Sequence, residues 1–277
     1  AALTSHPKID GVCFTGSTET AWAINRTLAA KNGPIVPLIA ETGGMNAMIV
    51  DATALPEQVA DDVVSSAFRS AGQRCSALRL LFVQEDVADK MVEMIEGAAG
   101  ELTVGDPSLI ETDIGPVIDA EQLNMPNYHN LAIRNNHKVR VAGKAPKDGL
   151  YFAPHIVELS KAEALEREIF GPVLHVVRWK AGQLDKVLDQ IAATGFGLTL
   201  GVHTRIEETV RQVVERLDTG NIYVNRNMIG AVVGTQPFGG SGLSGTGFKA
   251  GGPHYLLRFS LEQVVSVNTA AAGGNAS

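Results

Sequence analysis

Cysteine is scarce in this sequence, and its scarcity excludes two kinds of site. Cys13 and Cys75 are the only cysteines among 277 residues. Two are too few for a disulfide framework, and they lack the spacing of a metal site. We therefore expect a reducing compartment and no bound metal.

Long apolar runs and basic clusters are absent as well. No apolar run approaches the roughly 18 residues that span a bilayer. The opening residues, "AALTSHPKID", have neither the basic leader nor the apolar stretch of a signal peptide. A net charge of -7 without a basic cluster argues against nucleic acid as a partner. We therefore expect a soluble, cytoplasmic protein.

Strand-like and helical runs alternate along the chain. With 45% apolar and 19% charged residues the chain can bury a core, and its length favours two structural units. The pairs are "GVCFTG" before "ETAWAINRTLAAKNG", "NAMIVD" before "PEQVADDVVSSAFRSAG", "LRLLFVQ" before "DVADKMVEMIEGAAGEL", "HVVRWK" before "LDKVLDQIAATG", and "LTLGVHT" before "IEETVRQVVERLDTG", which "NIYVN" follows. This alternation predicts an α/β fold with a mainly parallel sheet and helices on its faces.

Three segments are predicted to be loops. Residues 105–119 and 144–149 are rich in Gly, Pro and Asp. From Gly234 onward, "GTQPFGGSGLSGTGFKAGGP" holds so much glycine that we predict no packed helix or strand there. It is either a flexible linker or a loop held close to a ligand, and the embedded Pro237 and Phe238 favour the loop.

The stretch "FTGSTET" places a glycine and hydroxyls where a strand meets a helix. The first N–H groups of a helix lack partners and its dipole favours an anion, so a phosphate could bind at Gly16 and Ser17. Ser17 or Thr18 could equally cap the helix, and the full G-x-G-x-x-G spacing is missing. From these residues alone both interpretations stay open.

Glu41 and Cys75 are candidates for chemistry. A carboxylate at the buried edge of a sheet is unfavourable unless it has a hydrogen-bonding or charged partner or a catalytic role. Partial burial would raise the pKa of Glu41 toward that of a general base. The alternative is a capping or salt-bridged glutamate. Cys75 lies beside Arg74 and heads a strand, where positive charge and N–H groups are expected to favour a nucleophilic thiolate. The alternative is a small buried residue, which is what we expect of Cys13.

Five motifs, in this order, resemble those of the aldehyde dehydrogenase superfamily. They are "FTGSTET", "ETGG", "GQRC" with its cysteine thirty-four residues after Glu41, "EIFGPV" at 168–173, and "PFGG" at 237–240. Two longer stretches, "AETGGMNAMIVD" and "NIYVNRNMIGAVVGTQPFGGSGLSGTGFKAGGPHY", resemble the L-glutamate γ-semialdehyde (Δ1-pyrroline-5-carboxylate) dehydrogenase branch, especially the C-terminal module of bifunctional proline utilization A proteins. The resemblance covers essentially the whole chain. It implies NAD-dependent oxidation of glutamate semialdehyde to glutamate in proline catabolism.

The resemblance implies roles for individual residues. Cys75 matches the nucleophile, which forms a thiohemiacetal with the aldehyde and then, once hydride has passed to NAD, a thioester. Glu41 matches the general base for the water that opens the thioester. The matches to the family's NAD contacts are Gly16 and Ser17 at the phosphates, Glu168 at the nicotinamide ribose and Phe170 at the nicotinamide face. Without the resemblance, "EIFGPV" would be interpreted as the end of a helix.

The resemblance also implies how the charged end of the substrate is bound. Glutamate semialdehyde carries an α-carboxylate and an amine far from its aldehyde. The family holds that end with the hydroxyl after the nucleophile and the N–H groups of an anchor loop, which match Ser76, Gly230 and Ala231. Phe238 matches an aromatic wall beside the aliphatic part of the substrate, with core packing under a glycine loop as the alternative.

A domain division and an assembly follow from the same resemblance. Residues 1–38 would be the C-terminal remnant of an NAD-binding domain, 39–240 the catalytic domain, and 241–277 a Gly-rich return and oligomerisation tail. The apolar alternation from Leu261 to Val267 suits an edge strand that pairs in a homo-oligomer. A flavin-dependent proline dehydrogenase domain could lie upstream.

The sequence departs from the family at several points. The long N-terminal portion of a complete dehydrogenase, with the asparagine of its oxyanion hole, has no match here. Ala21 replaces a glycine of the phosphate turn, and Met45 replaces a polar residue, both away from the chemistry. Two alternative functions therefore stay open: a dehydrogenase for another semialdehyde, or a catalytically silent fragment or oligomerisation partner.

Overall fold

Helices alternate with strands through residues 2–133, 137–229, 231 and 234–271, which the computed structural model describes. The helices in these ranges are α1 (Thr18–Ala29), α2 (Pro56–Phe68), α3 (Glu85–Gly100), α4 (Ala120–Ile133), α5 (Leu184–Ala193) and α6 (Glu207–Arg216). The strands are β1 (Val12–Thr15), β2 (Leu38–Glu41), β3 (Ala47–Val50), β4 (Leu80–Gln84), β5 (Lys138–Val141), β6 (His155–Leu159), β7 (Val173–Trp179), β8 (Phe196–Gly197), β9 (Thr199–His203), β10 (Asn221–Val224) and β11 (Ser241–Gly242). Every helix in the described ranges is too short or too polar to cross a bilayer.

A seven-stranded sheet forms the centre of the fold. Its strand order is β10-β9-β3-β4-β7-β6-β5, and each neighbouring pair is parallel except β5 with β6. The central strands β3, β4, β7 and β9 are buried almost throughout, as expected when helices cover both faces of a parallel sheet. The predicted α/β class is therefore confirmed.

Two apolar clusters lie on the two faces of this sheet. Alternate residues of a strand point to opposite faces. Accordingly, Met48 packs in one cluster with Phe68 of α2 and Ile95 of α3. Ile49 packs in the other cluster with Leu188 of α5. This packing holds the ends of β3 and β4 in a fixed relation, and the candidate active site lies beside them.

The first two strands form a small sheet of their own. β1 and β2 pair in parallel, from Val12 opposite Leu38 to Thr15 opposite Glu41. The predicted domain boundary after residue 38 thus coincides with the first residue of β2, and the division itself stays a prediction. Cys13 is exposed on β1, so the expectation that it is buried is wrong. The small sheet covers it on too few sides to bury it.

Several elements were not expected from the sequence. Helix α4 contains Pro126, which hides its helical pattern. β5 and β6 form an antiparallel pair whose strands are separated by a long loop. The Gly-rich segment was predicted to hold no strand, yet its β11 pairs with β8, and Phe238 bridges Ala250. Backbone pairing needs no side chain, so glycine permits it. The loops at 105–119 and 144–149 are confirmed.

The predicted edge strand near the end of the chain forms no strand here. Residues 261–268 lie outside helices and strands. The side chains of Leu261, Val264 and Val267 are largely exposed, at 98%, 88% and 74%. Their pairing with another chain stays a prediction.

Candidate active site

A strained loop carries Cys75 between α2 and β4. In this segment, residues 69–79, which we call the nucleophile loop, Ser70, Ala71 and Gly72 are all left-handed, with φ of 55°, 52° and 64°. Such a conformation is costly for the two residues that have a β-carbon. At Gly72 a β-carbon would lie 2.2 Å from the Gly171 carbonyl oxygen, so glycine is required where the two loops meet.

Asn46 fixes the main chain of the nucleophile loop at Cys75 and Ala77. Its buried amide nitrogen donates hydrogen bonds to the carbonyls of Cys75, at 2.6 Å, and Ala77, at 2.9 Å. Its side-chain oxygen accepts a hydrogen bond from Thr199 N–H at 3.1 Å. The sequence analysis missed this residue, although a carboxamide at the start of a buried strand is a signal that could have found it.

Cys75 is a thiol rather than a thiolate at rest. Burial raises the pKa of the thiol, and the carboxylates of Glu168 and Glu41 raise it further. The Ser76 N–H lowers this pKa by a smaller amount. Arg74 is exposed and its guanidinium is hydrogen-bonded to Ser70 Oγ at 2.9 Å. The expectation that this setting favours the thiolate is therefore wrong, because burial and two acidic neighbours outweigh the positive charge and the N–H groups.

Glu41 ends β2 with its carboxylate partly desolvated. The Gly240 N–H donates to Oε2 at 3.1 Å, while Oε1 is buried and accepts no hydrogen bond from the described residues. Burial raises the pKa of Glu41 to about 7, although Gly240 N–H and Lys249 act in the opposite direction. A carboxylate with this proton affinity can exchange a proton near neutral pH.

Arg79 joins the nucleophile loop to the "EIFGPV" segment. Its fully buried guanidinium makes an ion pair of 3.1 Å with Glu168 Oε1 and donates to the Gly171 carbonyl at 3.1 Å. It also lies 5.4 Å from the centre of the Phe170 ring. Glu168 Oε2 accepts from Gly44 N–H at 3.2 Å, yet the pKa of Glu168 is raised because burial outweighs Arg79. The sequence analysis missed Arg79, whose signal is a cation inside an apolar run.

Ser17 caps α1, as one of the two open interpretations predicted. The Thr20 N–H donates to Ser17 Oγ at 3.2 Å, and both Ser17 and Gly16 are exposed. A β-carbon at Gly16 would lie 2.4 Å from the Phe14 ring, so a side chain at this turn would have to displace that ring. An exposed glycine and hydroxyl at the start of a 12-residue helix, together with the carboxylate of Glu168, suit the phosphates and ribose of a dinucleotide. Cofactor contact at these residues and at Phe170 stays a prediction.

A cavity of about 510 Å³ contains Cys75 and most of the predicted substrate contacts. Ser76 is buried and Phe238 is half-buried, and a half-buried ring facing a cavity differs from plain core packing. Gly230 lies outside the described residues. The lining consists of Gln73, Arg74, Cys75, Ser76, Ala231, Gln236, Phe238, Ala250 and Gly251. The structure therefore brings together three of the four predicted substrate contacts, Ser76, Ala231 and Phe238, at the candidate nucleophile.

A larger cavity, of about 710 Å³, contains none of the predicted catalytic residues. Gly220, Gly239, Gly240 and Lys249 are part of its lining. Because Gly240 N–H is bonded to Glu41, this second cavity lies next to the candidate base rather than at the nucleophile.

Comparison with protein families and curated proteins places this geometry among known enzymes. A model described as "Aldehyde dehydrogenase family" matches residues 1–265. The bifunctional protein PutA of Klebsiella aerogenes is 55% identical over 269 residues, which cover 93% of this chain and 20% of that protein. The chain therefore spans about a fifth of the length of this curated relative.

Solved structures of similar proteins have the same fold as this chain. A crystal structure of a bifunctional proline utilization A (PutA) protein matches with a TM-score of 0.95 and 66% identity, over 98% of this chain and 28% of that one. A 1-pyrroline-5-carboxylate dehydrogenase from Thermus, solved with bound NAD, matches with a TM-score of 0.85 and 35% identity, over 93% of this chain and 51% of that one.

Proposed function

Because this chain belongs to the aldehyde dehydrogenase family, we propose that it carries the active site for NAD-dependent oxidation of L-glutamate γ-semialdehyde to L-glutamate, a step of proline catabolism. The observation that carries the proposal is the cavity in which Cys75 lies beside Ser76, Ala231 and Phe238. In this cavity the thiol lies beside a hydroxyl, which can bind a polar group of the substrate, and an aromatic ring, which can pack against its aliphatic chain. The NAD-bound 1-pyrroline-5-carboxylate dehydrogenase among the structural relatives supports this choice of substrate and cofactor.

Covalent catalysis at Cys75 begins with loss of its thiol proton. The raised pKa of Cys75 means that a base must take this proton as sulfur attacks the aldehyde carbon. The new S–C bond turns the carbonyl oxygen into an alkoxide, and the Ser76 N–H, which also lowers the pKa of the thiol, can stabilise negative charge there. NAD, when bound, supplies the acceptor for the hydride that leaves this carbon.

Glu41 then serves the hydrolysis of the thioester. Its pKa of about 7 leaves a substantial carboxylate fraction at neutral pH, able to take a proton from the attacking water. The water oxygen bonds to the acyl carbon, the S–C bond breaks, and the thiolate of Cys75 is protonated again. Glutamate leaves with its new γ-carboxylate.

The cofactor would be held by residues at two places. Gly16 and Ser17 would contact the phosphates at the N-terminus of α1, and Glu168 and Phe170 the nicotinamide ribose and ring. Arg79 engages Oε1 and the Gly44 N–H engages Oε2, which leaves each Glu168 oxygen with one further lone pair for a ribose hydroxyl.

Binding of the α-carboxylate is assigned to Ser76 and the main chain of Gly230 and Ala231. Ser76 is buried and lines the cavity, so its hydroxyl can donate to an anion without competition from bulk water. The main chain of Phe238 is fixed by two hydrogen bonds with the main chain of Ala250, of 3.0 and 2.8 Å. Its ring can therefore stay beside the aliphatic part of the substrate.

The test of this function is Cys75→Ala. We expect it to abolish aldehyde oxidation, measured as NADH formation, while NAD binding is retained, because the thiol makes the covalent bond. Cys13→Ala is the matched control, and its exposed position predicts unchanged turnover and stability. More than a few per cent of residual turnover in Cys75→Ala would overturn the assignment.

Thiol labelling distinguishes an enzyme from a catalytically silent chain. We expect NAD to change the rate at which an alkylating reagent modifies Cys75, because Glu168 both acts on Cys75 electrostatically and is proposed to bind the cofactor. Cys13 should react at the same rate with and without NAD. Equal rates at Cys75 under both conditions would favour the silent alternative.

We also propose that the chain assembles as a homo-oligomer through the exposed apolar residues of 261–267. Burying them between copies would remove apolar surface from water. Light scattering on Val264→Asp and Val267→Asp should show a smaller assembly than the unmodified protein. An unchanged mass for both would place the interface elsewhere.

A further inference from the structure

Gly239 lies in close contact with both Glu41 and Lys249. A β-carbon at Gly239 would lie 2.7 Å from Glu41 Oε1 and 3.1 Å from Lys249 Cα. The candidate base and this lysine therefore flank the same main-chain unit. Any side chain at position 239 would press against the carboxylate.

The ammonium of Lys249 is fixed on the main chain next to that unit. It donates a hydrogen bond to the Gly220 carbonyl. Gly220 itself touches Gly239, since a β-carbon at Gly220 would lie 1.8 Å from the Gly239 carbonyl oxygen. The ammonium, Gly220, Gly239 and the Glu41 carboxylate thus form one continuous set of neighbours.

Lys249 keeps access to solvent in this position. It is half-buried and lines the cavity of about 710 Å³ together with Gly220, Gly239 and Gly240. Burial lowers the pKa of Lys249, while the negative charge of Glu41 raises it. Contact with this cavity gives the ammonium access to water, which favours its charged form.

Among the described residues that act electrostatically on Glu41, Lys249 is the cation. Cys75 and Tyr255 also interact electrostatically with the Glu41 carboxylate, and both are neutral when protonated. The Gly240 N–H bonds Oε2, which leaves Oε1 buried beside Gly239 with no hydrogen bond from the described residues. Without a nearby positive charge, a carboxylate in this setting would take up a proton.

We propose that Lys249 is a positioning residue for Glu41: the Lys249 ammonium, held at Gly220, favours the charged form of the neighbouring carboxylate, which can accept a proton from water. This inference rests on the proposed function, in which Glu41 is the base of thioester hydrolysis. It assigns Lys249 no contact with substrate or cofactor. The lysine acts through its charge across the main chain of Gly239.

The experiment compares Lys249→Met, which removes the charge, with Lys249→Arg, which keeps it. The protonation of Glu41 is followed by its infrared carboxyl band as a function of pH, with Glu41→Gln as the reference that identifies the band. In Lys249→Met we expect the midpoint of Glu41 protonation to rise by roughly 0.5 to 2 pH units, because the variant loses a favourable charge interaction. This range corresponds to two unit charges several ångströms apart, with a dielectric constant between that of protein and that of water. The midpoint of thioester hydrolysis should rise with it. Lys249→Arg should show the midpoints of the unmodified protein.

Controls separate charge from structure. Lys180→Met removes an exposed lysine elsewhere and should leave both midpoints unchanged. If Lys249→Met fails to fold by circular dichroism, Lys249→Gln is measured in its place with the same expectation. An unmoved infrared midpoint in the uncharged variant, or an equal shift in Lys249→Arg, would overturn the inference. A shifted infrared band in a protein that oxidises no aldehyde would support it and overturn the proposed function alone.

Discussion

Burial governs the proton affinity of both residues that the proposed reaction uses. Glu41 and Cys75 each have a raised pKa, and in each case loss of water is the first cause. The two groups also repel each other's negative forms, because Glu41 raises the pKa of Cys75. At neutral pH the site therefore holds a protonated thiol and a partly ionised carboxyl group, and the ionised fraction of Glu41 can accept a proton.

Glu41→Gln separates the two halves of the reaction. If Glu41 activates the hydrolytic water, the variant should still form the thioester and release about one NADH per active site before it stalls. Rapid-mixing absorbance of NADH measures this burst. Absence of a burst would mean that Glu41 acts earlier, on Cys75, while full steady turnover would make it a structural residue.

The same substitution has a consequence for stability. The pKa of Glu41 is raised in the folded protein, so the folded state binds more protons than the unfolded state between the ordinary value of 4.5 and about 7. Its contribution to stability is therefore present at low pH and lost as pH rises through about 7. We expect the free energy of unfolding of the unmodified protein, relative to Glu41→Gln, to fall between about pH 5 and pH 8 in urea titrations. An increase over that range would contradict the burial of Glu41.

Ser76→Ala tests the substrate assignment. Losing one charge-assisted hydrogen bond of about 1.5 to 3 kcal/mol should lower kcat/KM for glutamate semialdehyde by roughly ten- to one-hundred-fold. A short aliphatic aldehyde has no α-carboxylate, so its kcat/KM should change by less than about threefold. The comparison of both substrates on both proteins cancels general damage. Equal losses would show that Ser76 supports the nucleophile instead.

Individual site residues differ in how well the sequence predicts them. Cys75, Ser76 and Phe238 follow from motifs and meet in one cavity. Asn46 and Arg79 do not follow, because their roles depend on hydrogen bonds to main chain that is distant in sequence, such as Thr199 and Gly171. The protonation state of Cys75 also could not be predicted. The sequence places Arg74 next to it, but only the structure shows that Glu168, which is distant in sequence, raises its pKa.

At the scale of elements, the nucleophile loop depends on strand β3 through Asn46. The carboxamide ties this loop to β9 as well, since it bonds the carbonyls of Cys75 and Ala77 and the N–H of Thr199. The register of β3 between β4 and β9 therefore sets the position of the thiol. A loop with two strained left-handed residues needs such an anchor to stay in one conformation.

Asn46→Ala should weaken both the fold and the site. Leaving buried carbonyl and N–H groups without partners costs about 1 to 3 kcal/mol each, which urea unfolding measures. We also expect a changed alkylation rate of Cys75, because its carbonyl loses its tether. Asn127→Ala, at an exposed position of α4, is the control and should alter neither quantity. A stability loss with unchanged alkylation would show that Asn46 supports the core and not the loop.

Elements with strong periodicity could be predicted and weak ones could not. The buried strands β3, β4, β7 and β9 and the helices that follow them repeat an obvious pattern. Helix α4 lacks that pattern, and it packs through particular contacts: Gln122 donates to the Phe170 carbonyl, and Pro126 lies against Gly171. Such contacts hold the "EIFGPV" segment in place, but they leave no periodic trace in the sequence.

At the scale of the whole molecule, three histidines are kept neutral, of which His175 and His203 are buried and His129 is half-buried. Burial lowers the pKa of His129 to about 4, of His175 to about 3 and of His203 to about 4. His175 bonds His129 at 2.7 Å and the Arg79 carbonyl at 2.9 Å. His203 lies 3.5 Å from Asp62, and with a neutral imidazole this contact is no ion pair. All three sites bind a proton more weakly when folded than when unfolded.

His175→Asn tests the consequence for acid stability. A lowered pKa in the folded state contributes stability that is present above the ordinary value of 6.5 and is lost as pH falls toward about 3. The free energy of unfolding of the unmodified protein, relative to His175→Asn, should therefore decrease when urea titrations are repeated at about pH 5 instead of pH 7. His254→Asn, at an exposed position, is the control. A difference that stays constant with pH would mean that His175 is not kept neutral by burial.

The strand order of the central sheet has a consequence for synthesis on the ribosome. β3 and β4 are neighbours, but β4 also needs β7, which starts at residue 173, and β3 needs β9, which starts at residue 199. At ~5 to 20 residues per second, the nascent chain carries two unpaired apolar strand edges for on the order of ten seconds. Exposed edges of this kind invite pairing between chains. Slow translation or crowding on polysomes should therefore increase aggregation of nascent chains that end before residue 199, and chaperones that cover the β3–β4 pair should relieve it.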